Sequence, residues 1–104
     1  MKPIETVTVY LGEVINSVFD FSDDLKESDT ITTVTAKAFK RSDGVDVTAD
    51  IFPDVAVITD KTVEIKTYTN TLLIAIETTY SCDISVSSND GYEIIKRFIL
   101  NVII

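Results

Sequence analysis

The chain contains no histidine and no tryptophan. Without histidine, Ser-His-Asp and Cys-His catalysis are excluded, and zinc loses one of its usual ligands. A single cysteine, Cys82, rules out any disulfide within the chain. It falls on the apolar phase of its segment, where a small core residue is expected rather than a nucleophile. Nothing in the cysteine usage asks for an oxidising compartment. Three glycines in 104 residues leave no Gly-rich phosphate loop. Positive charge is scarce: nine Lys and Arg stand against seventeen Asp and Glu, for a net charge of −8. Nucleic acids and anionic membranes are both repelled by such a field, so neither is an expected partner. Solubility is the plain consequence of the charge. The start, MKPIETVTVY, shows no long apolar segment of the kind a signal peptide carries. No run of about 18 apolar residues signals a membrane helix.

What is present is alternation. Tyr80, Cys82, Ile84 and Val86 alternate with Ser81, Asp83, Ser85 and Ser87, the period of a strand with one face in a core. Ser88-Asn89-Asp90-Gly91 then supplies residues that tolerate the positive φ of a hairpin turn. The return strand puts Phe98, Leu100 and Val102 on one face and Ile99, Asn101 and Ile103 on the other. A hairpin this apolar is not stable alone in water, so the rest of the chain must cover it. Ile4 to Tyr10 and Glu13 to Phe21 read as strands, the latter with Ile15, Ser17, Phe19 and Phe21 facing the core. The polar loop Ser22 to Asp29 has one apolar residue, Leu25, placed to plug the core, and Ser22 is in position to cap a helical turn. Thr30 to Lys40 changes phase between Ile31 and Val34, which a bulge near Thr32-Thr33 reconciles. Ser42-Asp43-Gly44 is a turn, and Val45 to Thr48 reads as a short edge strand. Val55 to Thr59 and Thr62 to Thr67 are strands about an Asp60-Lys61 turn, and Leu72 to Glu77 reads as a strand buried on both sides.

These segments predict one all-β domain over residues 1–104, an immunoglobulin-like antiparallel β-sandwich of about seven to nine strands. Tyr80-x-Cys82 matches the tyrosine-corner spacing of such domains, although the partner cysteine and core tryptophan of antibody domains are missing. Expected in one core are Phe19, Phe21, Leu25, Cys82, Ile84, Val86, Phe98, Leu100 and Val102. Paired carboxylates exist, but acid–base work needs a cleft to shift their pKa. The acidic stretch Asp20, Asp23, Asp24, Glu27 and Asp29 offers calcium oxygens without an EF-hand register, and reads as a solvated loop. No metal, cofactor or catalytic residue is expected. Tyr10, Tyr68 and Tyr92 are either strand packing or a carbohydrate platform.

Two passages go further. Asp20-Phe21-Ser22-Asp23-Asp24-Leu25 with Ser28-Asp29-Thr30-Ile31 lies in the first, Leu11 to Ile31. Ser88-Asn89-Asp90-Gly91 with Phe98-Ile99-Leu100-Asn101-Val102 lies in the second, Val86 to Val102. Together they resemble small tailed-phage virion proteins with an immunoglobulin-like sandwich, which pair an early Asp-Phe/Trp-Ser-Asp-x-Leu and Gly/Ser-Asp-Thr-Ile segment with a late Ser-Asp-Gly hairpin. The middle of the chain, Lys40 to Thr79, adds nothing to the likeness. The resemblance implies a non-catalytic virion component, either capsid cement (decoration) or a fibre–tail adaptor. Its partners would be other capsid, tail or fibre proteins, its location the virion after synthesis in the host cytoplasm, and its copies many. A bacterial adhesion or carbohydrate-binding module is the alternative. Ile95, Ile99, Ile103 and Ile104 fall opposite the core face of the last strand and are the expected protein interface, with Ile94 and Tyr92 as extensions if the strand twists. The competing expectation is that Ile4 to Tyr10 covers these isoleucines.

Overall fold

A computed structural model describes residues 5–69 and 79–103. Within them, the alternating segments become seven strands: β1 (Glu5–Tyr10), β2 (Val14–Asp20), β3 (Ile31–Lys40), β4 (Val57–Thr59), β5 (Thr62–Tyr68), β6 (Thr79–Ser88) and β7 (Glu93–Ile103). The strand expected over Leu72 to Glu77 lies outside the described residues. One sheet has the order β1-β7-β6-β3 and the other β2-β5-β4. The second, fourth and fifth strands of a constant-type immunoglobulin domain, and its third, sixth and seventh, are distributed in the same way. In chain order β2, β5 and β4 form one layer, and β3, β6 and β7 the other. The fold is an immunoglobulin-like β-sandwich.

One pairing departs from the antiparallel expectation. β1 runs parallel to β7, with Glu5 opposite Phe98 and Tyr10 opposite Ile103. Because β1 and β7 are far apart in sequence, no local turn dictates their relative direction, and alternation within a strand says nothing of it. β1 therefore extends the sheet beside β7 and does not lie over its outer face. The bulge expected near Thr32 is present: Ile31 pairs with Ser88 and Thr33 with Ser87, so Thr32 is the extra residue. Its hydroxyl donates to the Ser87 carbonyl at 3.0 Å. The bulge reverses the phase and lets both Ile31 and Ala38 point inward, at 6% and 0% exposure.

The core forms where the inner faces meet. Eight of the nine expected residues are buried: Phe21, Leu25, Cys82, Ile84, Val86, Phe98, Leu100 and Val102. The ninth, Phe19, is half-buried and packs against the cluster, its ring stacked on Phe98 at 5.5 Å between centroids. Tyr80 is also buried at the start of β6, where the corner spacing put it. The edge strand expected at Val45 to Thr48 is corrected. Asp46 makes one bridge to Phe39, and the chain then turns into a short helix, α1 (Thr48–Ile51). The Asp46 carboxylate accepts from the Thr48 amide at 2.8 Å and from its hydroxyl at 2.6 Å, which favours a turn over a strand. Burial of Val47, Ile51 and Phe52 repays the turn by filling the core beside β3.

Phe98 is 5% exposed and touches both layers through Phe19. Its truncation leaves a cavity between the sheets, so Phe98→Ala is expected to lower stability by about 3–5 kcal/mol in chemical denaturation. A loss below about 1 kcal/mol would show that the two layers do not pack through this ring.

Candidate functional site

The loop after β2 and the turn between β6 and β7 are built as one unit. Gly91 adopts a φ of 91°, which closes the Ser88–Gly91 turn and leaves amides directed into the molecule. Asp29 meets them. Its Oδ1 accepts from the Thr30 amide at 2.9 Å and the Asp90 amide at 3.1 Å, and the Asn89 amide donates to the Thr30 carbonyl at 2.8 Å. Asp29 is fully buried, and burial alone would push its carboxyl pKa up. The Ser88 side chain and the amides of Asp90, Thr30 and Asn89 outweigh that, and the net shift is downward. Its Oδ2 is enclosed with no hydrogen bond of ordinary geometry.

The rest of the acidic stretch is dispersed. Asp20 turns back on Ser22, accepting from its hydroxyl and its amide, and these bonds hold the Asp20 carboxyl below its usual pKa. The expected Ser22 cap is therefore replaced: the short 3₁₀ turn Ser22–Asp24 has no side-chain cap, and Ser22 is a donor to Asp20. Lys96, on β7, covers this turn. Its ammonium donates to the Asp20 carbonyl at 2.7 Å, lies 3.7 Å from Asp24 and sits 4.9 Å from the Phe21 ring centroid. Among the described residues no three acidic or thiol side chains converge as a metal site would require. Cys82 is buried at 0% exposure, and desolvation first, then the Asp83 charge, push its thiol to about 12. It is in no state to act as a nucleophile.

The outer face of the four-stranded sheet is the open surface. Ile95 is 51% and Ile103 39% exposed, and Ile99 is half-buried on the same face. Ile104 lies outside the described residues. The three isoleucines stand four residues apart, about 13 Å from one to the next, with Arg97 and Asn101 between them. They are separate apolar points on a polar sheet and not one patch. Arg97 pairs with Asp83 at 3.3 Å across the strand. Beside Ile103 lies Tyr10, 63% exposed; beside Ile95, Thr33, Thr35, Ser85, Ser87 and Glu93 border a shallow concavity of about 350 Å³. Ile94 does not extend this surface, because strand alternation turns it inward against the core.

The tyrosines are scattered. Tyr10 is level with Ile103, whereas Tyr92 precedes the other end of β7, about 35 Å away at strand spacing. Tyr68 is on the other sheet, and its hydroxyl donates to Asp54, which raises its pKa. They form no shared carbohydrate platform.

No family model matches the chain, and no curated protein matches it. Among solved structures it is similar to murine CRIg, with a TM-score of 0.47 and 15% identity over 97% of this chain and 92% of that one.

The Asp29 contacts were missed in the sequence, where Asp29 was one acidic loop residue among five. Its only signal was position, next to Thr30 at the mouth of a strand. A carboxyl whose pKa is lowered on folding stabilises above its unfolded pKa of about 3.9 and ceases to do so as pH falls through the lowered folded value. Asp29→Asn is thus expected to melt below the wild type at pH 7, with the gap closing as pH drops below about 4. A gap that is constant from pH 7 to pH 2 would show that the charge on Asp29 is not what holds the turn.

Proposed function

We propose that the chain is a non-catalytic structural component of a phage virion that binds other virion proteins, as capsid cement or as a fibre–tail adaptor. The observation that carries this reading is the meeting of the two passages on which the resemblance rests. The Asp29-Thr30 step of the first receives the Asn89 and Asp90 amides of the second, and Lys96 of the second reaches Asp20 and Asp24 of the first. Two distant stretches that share a physical job are a more specific likeness than two unrelated Asp-rich turns. Supporting it are a buried, unreactive cysteine and an outer sheet face whose isoleucines β1 borders but does not cover.

On this reading the outer face of the four-stranded sheet contacts a neighbouring virion protein through Ile99 and Ile103. Particles assembled with an Ile99→Asp, Ile103→Asp chain are expected to carry at least tenfold fewer copies than wild-type particles, by quantitative mass spectrometry of purified virions. Far-UV circular dichroism of the purified variant checks that it folds. A folded variant incorporated at the wild-type level would show that this face is not the contact. Absence of the wild-type chain from particles would remove the virion reading itself.

A further inference from the structure

The two sides of the sandwich are closed differently. On one side, the outer edge of β3 is bonded by the segment that follows it: the Lys40 amide donates to Val45, the Val47 amide to Ala38, and the Ala38 amide to the Thr48 hydroxyl. A bulge and Lys37 protect the rest of that edge, as charged and irregular edges do. β4 is only three residues long. The opposite side exposes β1 and β2. On β1, the Tyr10 amide is taken by the Glu13 carboxylate at 2.6 Å and the Tyr10 carbonyl by the Glu13 amide at 3.1 Å.

β2 has no such protection among the described residues. The Phe21 amide donates to Lys61 and the Thr69 amide to Glu13, which places the odd-numbered residues of β2 in hydrogen bonds with β5. The backbone groups of Val14, Asn16 and Val18 therefore point away from the sheet. No described residue bonds them. The same three side chains lie on the solvent face, with Val14 45% and Val18 64% exposed. Residues 14–19, VINSVF, carry no charge in a chain of net −8. An exposed, uncharged, apolar edge of this length is a template for another strand.

We propose that β2 pairs antiparallel with β2 of a second copy about a two-fold axis at Asn16. The free edge is complementary to itself in that register. Val14 faces Val18 of the second copy, Asn16 faces Asn16, and Val18 faces Val14, so three residues on each strand exchange six backbone hydrogen bonds. The exposed valines meet one another across the seam. Asp20 falls opposite Gly12, so no like charges oppose. The result is one six-stranded sheet, β4-β5-β2 continued by β2-β5-β4. A second copy fits this edge better than an unrelated strand because both the donors and the valines repeat under the two-fold. The net charge of each copy opposes the contact, so salt strengthens it. The contact is smaller than a standard interface, so the dimer is weak and depends on protein concentration.

Sedimentation velocity on the purified chain alone tests this, separately from incorporation into any particle. The wild type is expected to show a concentration-dependent dimer that grows between about 50 and 300 mM salt. Asn16→Pro removes an outward amide and leaves the β5 ladder intact, and is expected to weaken the dimer at least tenfold. Val14→Lys with Val18→Glu keeps the net charge and sets opposite charges across the seam, so it retains the dimer. Val14→Glu with Val18→Glu sets like charges there and abolishes it, whereas Thr33→Glu with Thr35→Glu, of equal net charge but on the other sheet, does not. A wild type that stays monomeric to about 1 mM overturns the proposal. So does equal association of the two Val14/Val18 variants, which needs no result from the proline variant.

Discussion

A buried carboxylate holds together the end of the molecule where its two sheets are joined. The loop carrying Asp29 is the passage from β2 in one sheet to β3 in the other, and the turn it grips is the tip of the β6–β7 hairpin. Taking a charge out of water is costly unless hydrogen bonds replace the water. Here the donors are backbone amides that the tight turn itself turns inward, groups that would be costly if buried without an acceptor. Each partner lowers the other's penalty. The arrangement also accounts for the neighbours: the Ile31 amide donates to Asp60 and the Phe21 amide to Lys61, so the β4–β5 turn is tied to the same loop. Three connections of the sandwich thus converge on one segment of ten or so residues.

Lys96 serves the same end from β7. It lies in the inward phase of the strand, where an apolar residue would otherwise stand, yet it is near the mouth and not the centre. Its stem can lie against Phe21 while its ammonium reaches a carbonyl, a carboxylate and the ring face. A lysine in that place closes the core without the cost of full burial.

The sandwich was legible wherever information is local. Alternation gave the faces of β2, β5, β6 and β7, and the phase change between Ile31 and Val34 located the bulge. The buried and exposed residues of the last hairpin follow from the same count. Three things were not local. The direction of β1 depends on an encounter with β7 some ninety residues later. The helical turn Thr48–Ile51 is too short for a periodic signal, and it is set by Asp46 and by space in the core for Ile51 and Phe52. Asp29 looks in sequence like its four acidic neighbours, because nothing in the string shows which amides will face it. The candidate surface divides likewise: Ile95, Ile99 and Ile103 were placed outward correctly, but their dilution by Arg97 and Asn101 shows only when one measures how far apart strand residues of one face stand.

Charge and edge geometry act at different ranges in this chain. The net charge works over a Debye length, about 8 Å at physiological salt, and keeps copies apart indiscriminately. Backbone edges act only at contact and only in register. A body that is negative overall but has an uncharged edge is therefore protected against random collision and permissive toward one aligned approach. The protected β3 side and the open β1–β2 side divide along this line. Where the chain covers its edge with Val45 to Thr48 and adds Lys37, strand addition is blocked both sterically and electrostatically. Along Val14, Asn16 and Val18, neither barrier is present among the described residues. In a small domain built around one hydrophobic core, such differences between edges and faces give the surface a means to specify what it meets.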